Sequence, residues 1–129
     1  VSETPFLGIN TMEQLANVST VIRHKKLSQI FAEGVQILAP ETVYIEATVT
    51  VGVGSVIYPG VTLLGTTTIG KNVVIESGTL IRNSAIHDGA EILANSHVEG
   101  AIVHAGATIG PMARLRPGAD IGPESKIGN

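Results

Sequence analysis

The sequence has no cysteine and no tryptophan, and only two phenylalanines and two tyrosines. Without cysteine there is no disulfide, no thiolate metal ligand and no thiol nucleophile. The redox compartment is left open by the same absence, with the cytoplasm as the default. With so few aromatics in a chain that is 43% apolar, the interior is filled by Val, Ile, Ala and Thr. That set suits a narrow core taking one aliphatic layer at a time. A net charge of −3 gives no pull towards nucleic acid or an anionic membrane surface. No apolar run approaches the roughly 18–20 residues of a membrane span, and no signal-peptide pattern is present. The first residue is Val1 rather than Met, as in a processed product or an excised piece, and 129 residues make one domain with a modest core.

What the chain does have is a repeat. Ile45, Val51, Ile57, Leu63, Ile69, Ile75 and Ile81 follow one another at intervals of six. Two places before each stands a small or β-branched residue: Val43, Val49, Ser55, Val61, Thr67, Val73 and Thr79. Three places after most of them comes a corner residue: Thr48, Gly54, Gly60, Thr66, Asn72 and Gly78. The register slips by one before Ile86, Ile92 and Val98, and by one again before Val103, Ile109, Leu115, Ile121 and Ile127. Period six means one short strand and one corner per hexad, with three hexads closing a triangular coil. The aliphatic position points inward and stacks on its equivalents at about one strand spacing, ~4.8 Å. Alternation of period two or a helical period near 3.6 fits none of this. The fold expected is mainly β: a left-handed parallel β-helix of about five coils over residues 35–129, with each slip tightening a corner.

Residues 11–34 carry another pattern. Asn10-Thr11-Met12-Glu13 reads as a capping box with Asn10 as the cap. Met12, Leu15, Val18, Val21, Ile22, Ile30 and Phe31 make an apolar stripe, and Gly34 stands where a C-terminal cap belongs. One amphipathic helix leading onto the first coil is expected. Arg23-His24-Lys25-Lys26 interrupts it with positive charge, read as a solvated face or, less simply, as a phosphate-binding patch.

Three segments carry a family resemblance: Pro5-Phe6-Leu7-Gly8-Ile9-Asn10, Val56-Ile57-Tyr58-Pro59-Gly60 and Gly110-Pro111-Met112-Ala113-Arg114-Leu115-Arg116-Pro117-Gly118. With the helix between them, the chain resembles the bifunctional N-acetylglucosamine-1-phosphate uridyltransferase and glucosamine-1-phosphate acetyltransferase family. The resemblance implies part of an enzyme of UDP-N-acetylglucosamine biosynthesis, cytoplasmic and serving cell-wall synthesis. It implies a homotrimeric β-helix that transfers acetyl from acetyl-CoA to a small sugar phosphate, and an N-terminal domain that uses magnesium for uridyl transfer. On that reading residues 1–10 are the tail of a missing nucleotidyltransferase domain, residues 11–34 the linker helix and residues 35–129 a truncated acetyltransferase β-helix. Such a chain is expected to be inactive alone, because the catalytic histidine and the acetyl-CoA contacts would lie in coils after Asn129.

The resemblance carries two residues over. Asn10 matches an asparagine that helps hold magnesium and the sugar nucleotide, although here its partners are lacking. Met12 departs from the basic residue usual two places later, which leaves helix capping as the simpler role. Arg116 matches an arginine that binds the phosphate of the acetyl acceptor. The residues themselves place Leu115 inside and Arg114 and Arg116 outside, and a planar guanidinium suits bidentate phosphate recognition. A merely solvated arginine is the alternative.

His87 and His104 each follow an inward aliphatic and lie one coil apart, so they should stack on one outer face. Solvated stacking, a metal site or catalysis are the readings open to them, while His97 sits in another register. The carboxylates Glu41, Glu46, Glu76, Asp88, Glu91, Glu99, Asp120 and Glu124 are read as scattered, with no acid–base pair. A stand-alone scaffold or trimerisation module without catalysis is the alternative function.

Overall fold

A computed structural model describes residues 11–129 of the chain. The helix spans Met12–Ala32 and is capped by Thr11, whose hydroxyl accepts the Gln14 N–H at 3.1 Å. The cap expected at Asn10 is therefore shifted by one residue. Thr11 is extended (φ −136°, ψ 157°) and the helical turn begins after it, while Asn10 itself lies outside the described residues. At the other end Gly34 takes φ +85° directly after the last turn, as the cap pattern required.

Only part of the apolar stripe docks: Ile30 is buried and Val18 half-buried. Met12, Leu15, Val21, Ile22 and Phe31 are exposed, whereas Leu27 and Ile30 are buried, and Arg23 and Lys26 are half-buried beside them. Residues 23, 26, 27 and 30 are one helical face, so the contact surface is half apolar and half cationic. No helix among the described residues is long and apolar enough to cross a membrane.

From Gln36 onward sixteen strands of two or three residues wind into three parallel sheets of six, five and five strands. These are the flat faces of a triangular solenoid, the mainly β architecture expected. Each strand pairs with the strand one coil on: Tyr44 with Thr62 and Thr50 with Thr68, eighteen residues apart. Thr68 with Ala85 and Leu80 with His97 are seventeen apart. Both slips fall at the same corner of successive coils, before Ala85–Ile86 and before Ile102–Val103. The first coil is longer, Gln36 pairing with Val56, because a 3-10 turn, Pro40–Thr42, is inserted in it.

Inside, Ile37, Ile57, Ile75, Ile92 and Ile109 form one column, Ile45, Leu63, Ile81, Val98 and Leu115 a second, and Val51, Ile69, Ile86 and Val103 a third, all buried. The residues two places earlier are buried too, and five of them are hydroxyls: Ser55, Thr67, Thr79, Ser84 and Ser96. Each hydroxyl meets the backbone of its neighbours. Ser96 Oγ, for instance, donates to Leu93 O at 2.9 Å and accepts the Ala113 N–H at 3.2 Å. A hydroxyl is tolerated in this core because it is paired there.

Candidate functional site

Three places outside the core gather polar side chains. The first is the entry end of the solenoid. In later coils Val61 O accepts from Tyr44 N and Thr67 O from Thr50 N, both one coil earlier. Val43 and Val49 occupy the matching positions of the first coil, where no earlier coil supplies a donor. Arg23 Nη1 fills the gap at Val43 O (3.1 Å) and also reaches Pro40 O (3.1 Å). Lys26 Nζ does the same at Val49 O (2.7 Å) and Ala47 O (3.0 Å). These two cations are neither free in solvent nor arranged around a phosphate: they terminate a β-ladder.

The second place is the outer side of the sheet containing Leu80–Arg82, His97–Glu99 and Arg114–Leu115. His97 pairs with Leu80 above and Arg114 below. Glu99 pairs with Arg82, and Arg116 comes next in its column because Val98 pairs with Leu115. Leu115 is buried while Arg114 and Arg116 are exposed, as their alternation implied. Glu99 lies 3.8 Å from Arg82 Nη1 through Oε2 and 3.8 Å from His97 Nε2 through Oε1. At that distance the histidine contact is not a hydrogen bond. His97 Nε2 is buried and has no hydrogen-bond partner among the described residues. Arg114 and Arg116 have no ion pair among the described residues. Among the described residues their side chains make no bond to the ladder.

The third place is the neighbouring face. His87 and His104 stack as expected, with ring centroids 5.3 Å apart and an interplanar angle of 3°. Stacked rings hold their lone pairs in separate parallel planes, and no group of three or more metal-ligating side chains is found among the described residues. His104 Nε2 lies 2.8 Å from Asp120 Oδ1. The carboxylates are thus less scattered than the sequence suggested. Asp120 pairs with His104 and Glu99 with Arg82 and His97, while Glu46, Glu76 and Asp88 accept corner N–H groups of Gly65, Ala94 and Lys71. Sequence reasoning missed them because, except for His97 two places before Glu99, the partner is one coil away, 16 to 19 residues along the chain. The pairing register, once known, would have found them.

A family model described as the GMPPB C-terminal domain matches residues 39–129. The chain belongs to that family. Among curated relatives, "Bifunctional protein GlmU" of Koribacter versatilis is 43% identical over 123 residues, covering 95% of this chain and 26% of its own length. The proteins of the same name from Alkaliphilus oremlandii (40% over 126 residues) and Thermus thermophilus (37% over 123) each cover 95% of this chain and 27% of their own length. These relatives bear out the bifunctional-enzyme resemblance read from the three sequence segments. The chain spans about a quarter of the length of the curated relatives it matches.

Proposed function

We propose that this chain is part of a bifunctional enzyme of UDP-N-acetylglucosamine biosynthesis, comprising its linker helix and the first coils of its acetyltransferase domain. The observation that carries the reading is Arg116, unpaired on the outside of a hexapeptide coil, in a chain similar to proteins named bifunctional GlmU. In this reading Arg116 binds the phosphate of glucosamine 1-phosphate, since a guanidinium offers two parallel N–H donors to two phosphate oxygens. The acetyl group comes from acetyl-CoA. Uridyl transfer and its magnesium belong to a domain preceding Asn10, and the protein works as a homotrimer in the cytoplasm.

The chain alone does not complete acetyl transfer, which needs a base poised on the attacking amine. His104 is engaged by Asp120, His87 is stacked on His104, and His97 Nε2 is buried beside Glu99. In this reading none of the three is that base.

Calorimetric titration of the 129-residue chain with glucosamine 1-phosphate tests the reading, alongside an assay of thiol release from acetyl-CoA. The chain has no cysteine and so contributes no thiol background. Binding that Arg116→Ala weakens about tenfold or more, with thiol at the no-enzyme rate, is the expected result. Absence of binding removes Arg116 from the acceptor site. Thiol above background shows that the base lies within these residues, and a clean monomer in light scattering refutes the trimer.

A further inference from the structure

The first coil is longer than the rest, and the excess forms the turn Pro40–Thr42. Between that turn and the flank of the helix lies a cavity of about 320 Å³. Its lining includes Arg23, Leu27 and Phe31 from the helix and Pro40 and Glu41 from the turn. Residues 23, 27 and 31 are spaced by four, so the helix presents them in one row. The volume is at the lower end of the range of about 300–1,000 Å³ usual for ligand cavities, which suits a small molecule rather than a large cofactor. Leu27 is buried, but Phe31 is 46% exposed, an aromatic surface on the lining that the fold leaves uncovered.

Two charges border this apolar lining. Arg23 meets the first coil through one nitrogen: Nη1 donates to Pro40 O and Val43 O, both at 3.1 Å, and lies 3.5 Å from Glu41 O. Its Nε and Nη2 make no bond among the described residues. A guanidinium carries five N–H donors, and its Nε–Nη2 edge can hold a carboxylate through two parallel N–H···O bonds. The contacts of Nη1 already fix the plane of the group, so little conformational freedom is lost when that edge is used. Glu41 is exposed, and its carboxylate has neither an ion pair nor a hydrogen bond among the described residues. A cation and an anion thus stand at one wall of the cavity, close in the chain fold, without pairing. The ligand that complements them carries both opposite charges on neighbouring atoms and an apolar body beside them, which is an α-amino acid.

We propose that the cavity between the helix and the Pro40–Thr42 turn binds a free α-amino acid with an apolar side chain. Arg23 holds the carboxylate through Nε and Nη2, Glu41 accepts from the ammonium group, and Leu27, Phe31 and Pro40 surround the side chain. The inference is independent of the role given to Arg116.

The chain, labelled with 15N, is titrated with L-leucine and with L-phenylalanine, while its amide resonances are followed by NMR and the affinity by calorimetry. The amides of Leu27, Phe31 and Glu41 should shift with saturation, and those of His87 and His97, on distant coils, should not. Two analogues of phenylalanine each lack one charge: 3-phenylpropionate has no ammonium group and phenethylamine no carboxylate. Both should bind about tenfold or more weakly than phenylalanine, the loss expected for one charge-assisted hydrogen bond. Glycine, which offers no apolar side chain, should also bind more weakly. Glu41→Gln should weaken phenylalanine to the level of 3-phenylpropionate and leave 3-phenylpropionate itself unchanged. Arg23→Lys keeps the cation but not the planar fork, so phenylalanine should weaken and phenethylamine should not. Glu41 is exposed, so its variant keeps the fold, and an unchanged amide spectrum away from the helix verifies the same for Arg23→Lys. If 3-phenylpropionate binds as tightly as phenylalanine, or Glu41→Gln has no effect, Glu41 holds no ammonium group and the inference is overturned. If phenethylamine binds as tightly as phenylalanine, Arg23 holds no carboxylate and the inference is again overturned. Absence of saturable shifts at Leu27, Phe31 and Glu41 with either amino acid overturns the site outright.

Discussion

Replacing Arg23 by Met removes a cation but keeps a long apolar stem and nearly the same helix propensity, so the helix should persist. What is lost is the donor to Val43 O and Pro40 O at the end of the ladder. A hydrogen bond to a charged group contributes about 1.5–3 kcal/mol, and an orphaned buried carbonyl costs about 1–3 kcal/mol. Both bonds are part-buried, and water will cover some of the exposed side. A net loss of about 1–2 kcal/mol is therefore expected, a five- to thirtyfold change in local opening by the usual conversion of about 1.4 kcal/mol per tenfold. In a solenoid each coil contacts only its neighbours, so the loss should stay at the entry end. Native-state hydrogen exchange reads this directly. The Tyr44 and Glu46 amides, bonded to Val61 O and Leu63 O, should lose protection, while the Leu93 and His97 amides, bonded to Ile109 O and Ala113 O, should keep theirs. Unchanged exchange at Tyr44, or an equal loss at His97, would refute the view that Arg23 stands in for the backbone of an absent coil.

Ile75→Ala opens a cavity between Ile57 and Ile92 in a fully buried column and should cost about 2–5 kcal/mol, read as a lower urea midpoint; a cost below about 1 kcal/mol would mean the coils collapse onto the gap. Gly34→Ala places a Cβ at φ +85° and 2.8 Å from Val53 Cγ2, and a non-glycine residue in the left-handed region costs about 1–2 kcal/mol. Its thermal midpoint should fall, whereas Gly128→Ala, whose Cβ would meet nothing within 4 Å, should not move it.

The parts of the fold that were legible are those that depend on local repetition. The six-residue spacing announced the solenoid, the alternation around Leu115 put Arg114 and Arg116 outside, and counting hexads stacked His87 on His104. The helix was legible in extent but not in orientation. Of its stripe of Met12, Leu15, Val18, Val21, Ile22, Ile30 and Phe31 only Ile30 is fully buried, and the docked face adds Arg23, Lys26 and Leu27. The surface it meets is a row of unpaired carbonyls as well as an apolar layer. Similarly, no spacing marks Glu99 as the partner of Arg82, because the two meet only through ladder register, whereas His97 and Glu99 stand two places apart on one strand.

The sequence by itself determined the coil. Inward aliphatics at every sixth place have one compact solution, and the two five-residue steps could only shorten corners. The tertiary structure decided which polar groups are spent on the backbone and which remain for a ligand. Arg23, Lys26, Glu46, Glu76 and Asp88 resemble any surface charge in sequence, but each lies where stacking leaves a carbonyl or an N–H without a partner. Arg114 and Arg116 lie at the last strand of their sheet, and their side chains make no bond to the ladder among the described residues. The physical reason is that a backbone group's need for a partner is set by the coil above or below it, some seventeen or eighteen residues away along the chain.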